Sequence, residues 1–115
     1  MFKNSTCPIG MSLELFNRKW VLCILTDLFN GNRRFNEFKQ SNPKISSQML
    51  SETLKYMENN DLIYKKDNEY NLTEKGLETN AILYEMAKFN MKYSDYDNDV
   101  RAQSLNEYRE LLKLG

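Results

Sequence analysis

The sequence predicts a mainly α fold with one small β-hairpin. Several segments repeat apolar residues at helical spacing, and only Asn42-Pro43-Lys44 separates two of them. One short segment, Leu62 to Leu72, instead reads as two β-like runs around the turn residues Asp67 and Asn68. A steep turn between helices, followed by a hairpin, is the order of a helix-turn-helix with a wing.

The elements follow in chain order. "CPIGMSLELF" begins with Pro8, suited to a first helical turn, and predicts a short helix to about Phe16. "KWVLCILTDLFNG" sets Trp20, Val21, Ile24, Leu25 and Leu28 on a wide apolar stripe, ended by Asn30-Gly31. This is the central core helix, with Trp20 and Cys23 expected among the packed residues. "RFNEFKQSNPK" gives a short helix bearing Phe35 and Phe38, stopped before Pro43.

In "ISSQMLSETLKYMENNDLI", Ser46 is the expected N-cap, and Ile45 and Leu50 form a hydrophobic staple. Met49, Leu50, Leu54 and Met57 are read as the buried side, which leaves Gln48, Ser51, Glu52 and Lys55 on the other. Thr73 caps a further helix, read as continuous to about Tyr93 with Leu77, Ala81, Tyr84, Ala87 and Met91 as its stripe. "DYDND" breaks it, and a last helix carries Leu105, Tyr108, Leu111 and Leu112 on one side.

Composition limits the function. A chain of 115 residues, 41% hydrophobic and 28% charged, fits one soluble domain with a modest core. No apolar run approaches the roughly 20 residues of a membrane span, and a signal-peptide pattern is lacking, so a cytoplasmic location without a membrane partner is expected. Without histidine, Ser-His and Cys-His catalysis is excluded, as are histidine-containing metal sites. Cys7 and Cys23 are too few for a disulfide scaffold or a zinc site. No glycine begins a phosphate-binding loop, and nothing pairs the carboxylates as acid and base. The expectation is a non-enzyme without metal or cofactor.

Net charge is zero but unevenly spread. Residues 1–66 hold ten Lys/Arg against six Asp/Glu, and residues 67–115 hold six against ten. A basic half joined to an acidic half points to one anion-facing region and one region with another task.

At this point the chain resembles the HxlR-type regulators within the MarR-like winged-helix group. The matching pieces are "CP" at 7–8, "LELFNRKW" at 13–20, "GNRRFNEF" at 31–38, "ISSQMLSETLKYMENNDLI" at 45–63 and "YNLTEKG" at 70–76. They stand in family order and cover roughly residues 7–91. The resemblance implies a winged helix-turn-helix with terminal dimerisation helices: one domain over 1–115, the helix-turn-helix at about 35–59, the wing at about 62–72 and the C-terminal helices at about 73–114. It also implies a homodimeric, sequence-specific regulator of transcription that binds double-stranded DNA.

The residue chemistry suits that role. Gln48 can pair bidentately with adenine, Lys55 can donate to guanine or phosphate, Glu52 can accept from cytosine, and Ser51 can do either. Ser46 and Ser47, at the positive end of the helix dipole, can hold a phosphate. Arg33, Arg34, Lys44, Lys65 and Lys66 surround this helix as further phosphate contacts, whose neutralising charge makes affinity fall with salt. Two-fold symmetry would favour a near-palindromic operator.

Two features depart from the family: a basic residue commonly stands where Gln48 does, and the wing is short. Its tip carries Asp67 and Glu69, poorly suited to the negative potential of a minor groove. The alternative function is therefore a winged-helix protein-interaction module without sequence-specific DNA binding. Finally, some HxlR-type proteins use an N-terminal cysteine before proline to sense oxidants or electrophiles. Cys7, at a helix N-terminus with Lys3 close in sequence, is the candidate sensor here. Tyr84 and Phe89 leave room for a small-molecule effector near the dimer interface.

Overall fold

The computed structural model describes residues 7–114. Its elements run α1 (Pro8–Phe16), α2 (Val21–Phe29), α3 (Phe35–Ser41), α4 (Ser47–Asn59), β1 (Ile63–Lys66), β2 (Glu69–Leu72), α5 (Glu74–Leu77), α6 (Asn80–Tyr93) and α7 (Asn98–Leu111). Helix α2 is the axis of the core. Val21, Ile24, Leu25, Leu28 and Phe29 are buried along it, at the spacing that keeps one helical face inward. Gly31 takes φ +100° just past the helix end. Its amide donates to Leu28 O and the Asn32 amide to Asp27 O, which satisfies the last carbonyls in a Schellman arrangement.

Helices α3 and α4 pack against this axis through Phe38, Leu50, Leu54 and Met57, all buried. Ser46 caps α4, its hydroxyl accepting from the Met49 amide at 3.0 Å. Ile45 and Leu50, on either side of the cap, are both buried in the same cluster, as the staple requires. Met49 does not join them: it is 43% exposed, and Thr53 takes the place assigned to it. At 100° per residue, Met49 lies about a quarter-turn from the centre of the Leu50–Leu54–Met57 stripe, so it falls on the flank.

The hairpin pairs Ile63 with Leu72 and Lys66 with Glu69. Asp67 and Asn68 both take positive φ, +51° and +67°. Two left-handed residues between antiparallel strands form the tight turn whose twist matches that of the strands. The hairpin is anchored near its tip. The Tyr70 amide donates to Arg33 O at 2.7 Å, and the Tyr70 ring meets Phe38 edge-on at 6.0 Å.

The helix expected from Thr73 to Tyr93 is two helices. Thr73 does cap α5, accepting from the Gly76 amide at 3.0 Å. The Thr79 hydroxyl then donates to Gly76 O, and the Thr79 amide returns to the same carbonyl. The last turn of α5 therefore tightens and the chain changes direction before Asn80. The expected stripe changes in part: Leu77 and Ala81 are exposed and Leu83 is buried instead, while Met91 is buried and Tyr84 and Ala87 half-buried as expected.

Two further residues differ from expectation. Trp20 is only partly buried, packed against the edge of the core ahead of α2. Cys23 is exposed, because it faces away from the core toward an apolar hollow of about 210 Å³ between α2, α6 and α7. Partial desolvation beside that hollow, and then the charge of Asp27, push its thiol pKa up.

A second set of apolar side chains stays uncovered. Ile9 and Leu13 on α1, and Ile82, Met86, Phe89 and Tyr93 on α6, are exposed. Ile9, Leu13, Ile82 and Met86 line one shared groove. Among the described residues, no helix is long and apolar enough to cross a membrane.

Candidate nucleic-acid interface

The outward side of α4 is built by the same periodicity that buries its inner side. Gln48, Ser51, Glu52 and Lys55 are all exposed, while Leu50, Thr53, Leu54 and Met57 are buried. Gln48 Nε2 lies 3.3 Å from Glu52 Oε1, so the amide and the carboxylate restrain each other one turn apart. Ser46 and Ser47 are exposed at the start of the helix, where backbone amides concentrate positive potential. The Ser46 hydroxyl is occupied as the cap acceptor and retains its own proton to donate.

The aim of α4 is set by the turn before it. Asn42 ends α3 and is buried. Its side-chain amide donates to Phe38 O at 2.8 Å and to Asp27 Oδ2 at 2.6 Å, while its carbonyl receives the Ile45 amide. The Lys39 ammonium reaches over the turn to Ile45 O. Partial burial pushes the Asp27 carboxyl above its ordinary range, against the opposing pull of the Asn42 hydrogen bond. Lys44, in the same turn, is exposed.

The cations at the other flank are less uniform. Arg34 precedes α3, exposed, and pairs with Glu69 of the hairpin at 3.5 Å. Glu37 accepts from the Arg33 and Arg34 amides at 2.7 and 2.9 Å. Those two backbone bonds hold its carboxyl below the usual range. Arg33 is oriented inward: its guanidinium donates to Leu28 O at 2.7 Å and Asn32 O at 2.8 Å, closing the C-terminus of α2. It stands half-buried beside the interface, its charge shared with those carbonyls. Lys65 and Lys66 are exposed on β1, Lys65 over the Tyr70 ring at 5.4 Å. Lys66 stands opposite Glu69 in the register next to the turn, while the Glu69 carboxylate pairs with Arg34.

Cys7 is the N-cap of α1, with extended backbone and a partly buried side chain. Lys3, expected near it, lies outside the described residues.

Three residues that organise the interface escaped sequence reasoning. Asn42 carries the turn, and its signal was the Asn-Pro pair after a helix. Glu37 fixes the start of α3, and its signal was an acid three residues past the helix boundary. Tyr56 gave no signal in periodicity. Its hydroxyl donates to Leu15 O at 2.7 Å and ties α4 to α1, 41 residues away in sequence.

Comparisons with known proteins agree with this arrangement. A family model described as HxlR-like helix-turn-helix matches residues 15–98. The chain is 32% identical over 96 residues to the HTH-type transcriptional regulator YdeP of Bacillus subtilis, across 77% of this chain and 75% of that one. Among solved structures, a MarR-family protein from Porphyromonas gingivalis W83 superposes with a TM-score of 0.73 at 34% identity, covering 82% of this chain and 99% of that one. Quinone-bound YodB from B. subtilis superposes with a TM-score of 0.70 at 33% identity, covering 76% of this chain and all of that one. With its helix-turn-helix and hairpin in the same order, this chain belongs to the HxlR-like helix-turn-helix family and is a transcriptional regulator of winged-helix fold.

Proposed function

We propose that the protein binds a near-palindromic DNA operator as a homodimer, with α4 in the major groove. In this reading Gln48, Ser51, Glu52 and Lys55 face base edges. Arg34, Lys44, Ser46, Ser47, Lys65 and Lys66 hold phosphates, and Arg33 supports the scaffold from within. The observation that carries it is the wholly polar, exposed face of α4, held between a buried Asn42 turn and an anchored hairpin. A solvated helix needs neither constraint, whereas a helix that must meet base edges needs both.

A second copy is the occupant proposed for the exposed apolar side chains of α1 and α6. Ile82, Met86, Phe89 and Tyr93 recur at helical spacing along α6, continuous with Ile9 and Leu13 of α1. A two-fold pairing there would place two α4 helices about 34 Å apart, one turn of DNA, or a multiple of that.

A salt-titrated gel shift on the promoter region of the protein's own gene tests the reading. Binding should favour that duplex over a scrambled one and weaken steeply as salt rises, by about 0.9 in log–log slope per phosphate neutralised. Equal, salt-independent binding to both duplexes would overturn it.

Cys7 is proposed as the point of chemical control. YodB, a relative 33% identical over 91 residues, has been solved quinone-bound and diamide-treated. Modification of Cys7 at the N-cap of α1 would disturb the helix that carries part of the proposed dimer face. Diamide should therefore release DNA from the parent and not from Cys7→Ser. Equal release from both would remove Cys7 from the mechanism.

A further inference from the structure

Tyr56 follows Glu52 by four residues and Gln48 by eight, so the three stand in one row along α4. Its hydroxyl is held by Leu15 O at 2.7 Å, with Glu14 O at 3.3 Å. Over its ring lies the guanidinium of Arg18, 4.2 Å from the centroid. Arg18 stands in the link between α1 and α2 and is exposed. Among the described residues, the ion pair within 4 Å is Arg34 with Glu69, and no carboxylate neutralises Arg18.

We propose that Arg18 is a phosphate-binding residue of the DNA interface, held at the far end of the α4 reading face by stacking on Tyr56. The proposal rests on the reading of α4 as the major-groove helix. The 13 residues of α4 span about 20 Å at 1.5 Å each, against a major groove about 12 Å wide, so the two ends of the helix approach opposite phosphate strands. The first end has Lys44, Ser46 and Ser47. The second end has no cation of its own on α4 after Lys55, and the Lys75 ammonium that reaches it is engaged by Asn60 O at 2.9 Å. Arg18 supplies that charge from a neighbouring element.

The stack also explains why an arginine suits the position. A guanidinium on an aromatic face keeps its N–H edge for another acceptor, and phosphate accepts two such donors side by side. Stacking fixes the side chain before DNA arrives, which lowers the entropy lost on binding. The residue escaped the sequence reading because nothing in "LFNRKW" reveals that it lies over a residue 38 positions later.

The test uses the full chain with its own promoter duplex and a scrambled duplex, with affinity measured across a salt series. Arg18→Gln should weaken binding to both duplexes alike. The salt slope should become shallower by about 0.9 for each Arg18 in the complex, or about 8-fold in affinity per contact at 0.1 M salt. Arg18→Lys should retain the slope, because it retains the charge. Tyr56→Phe should also retain it, since the ring remains and only the hydroxyl's bonds to Leu15 O and Glu14 O are lost. An unchanged slope in Arg18→Gln, with the parent still salt-dependent, overturns the proposal and leaves the DNA reading standing. Equal loss of affinity in Arg18→Gln and Tyr56→Phe without a slope change would mean that Arg18 acts only by supporting the contact between α1 and α4, and overturns it too. A parent that binds neither duplex in a salt-dependent way removes both the reading and the proposal.

Discussion

Asn42 Nδ2 donates to Asp27 Oδ2 at 2.6 Å, joining the core helix α2 to the turn from which α4 departs. The two residues are 15 apart in sequence, and the same amide nitrogen also closes the last turn of α3 on Phe38 O. One buried residue thus ties two helices through its side chain and the approach to a third through its backbone carbonyl. Removing the side chain leaves a half-buried carboxylate without its side-chain partner. Asn42→Ala should cost about 1–3 kcal/mol, the usual penalty for a polar group stranded away from water. Urea unfolding measures it, and a loss below about 0.5 kcal/mol, typical of neutral surface changes, would show that the turn does not depend on this bond.

The same pair gives a pH signature. Burial raises the folded-state pKa of Asp27 above the ordinary carboxylate value. The native protein therefore binds this proton more tightly than the unfolded chain does. The resulting stability is fully present below the unfolded pKa and is lost as pH rises through the raised folded value. Asp27→Asn keeps the shape, and its carbonyl can still accept from Asn42, but it has no charge to desolvate. The melting temperature of this variant, relative to the parent, should be more favourable at pH 7 than at pH 4. The same difference at both pH values would show that Asp27 titrates normally.

Gly76 makes a steric prediction that involves no charge. A methyl group at its Cα position would lie 2.1 Å from Leu62 O, a backbone atom that cannot swing aside. This close approach lets α5 lie against the start of the hairpin, where Thr73 also donates its amide to Leu62 O. Gly76→Ala should destabilise by about 1–3 kcal/mol through overpacking. Leu77→Ala, next along the chain and exposed, should cost much less. Equal effects from the two would refute the close-packing account.

The split between what the sequence revealed and what it hid follows the range of the interactions. Ser46, Thr73, Gly31 and the turn at Asp67-Asn68 act within a few residues, so local chemistry exposes them. The polar face of α4 was legible for the same reason: a 3.6-residue period is local. Met49 and Cys23 were misplaced because an apolar residue on the flank of a stripe packs only if another element covers it. Among the described residues, neither is packed closely enough to be buried. Arg33 reads as a surface cation until the carbonyls of Leu28 and Asn32 are seen to hold it. The break at Thr79 depends on a hydroxyl that can serve a helix or end it, and tertiary packing decides which.

On the proposed function, the outward face of α4 separates affinity from preference. Lys55 is exposed and one turn beyond Ser51, placed for guanine or phosphate, so Lys55→Ala should weaken binding to every duplex. Gln48 is restrained by Glu52 at 3.3 Å and carries a bidentate edge for adenine. Gln48→Ala should reduce discrimination by about 1–3 kcal/mol at one base pair per half-site, with little change on scrambled DNA. Binding to a set of single-base operator variants reads this directly. Uniform weakening across the set would assign Gln48 to the backbone instead.

The final prediction concerns the face that α6 leaves open. Phe89 and Tyr93 meet at a tilt, 5.5 Å between ring centres, yet remain 69% and 73% exposed, and Met86 and Ile82 continue the row toward α1. Rings and thioethers so placed gain little from their own chain and much from a partner that removes them from water. If the partner is a second copy, a charge at the centre of the patch should split the dimer without unfolding either half, because the position is solvated in the single chain. Phe89→Glu should therefore sediment as a monomer with a near-parental melting profile at high dilution. Its operator affinity should fall by about 10²-fold or more, because two linked half-site contacts become one. The same substitution should leave affinity for an isolated half-site unchanged, since α4 and its flanks are untouched. A Phe89→Glu protein that stays dimeric would move the interface elsewhere on the molecule. One that loses half-site binding as well would show that α6 supports α4 directly.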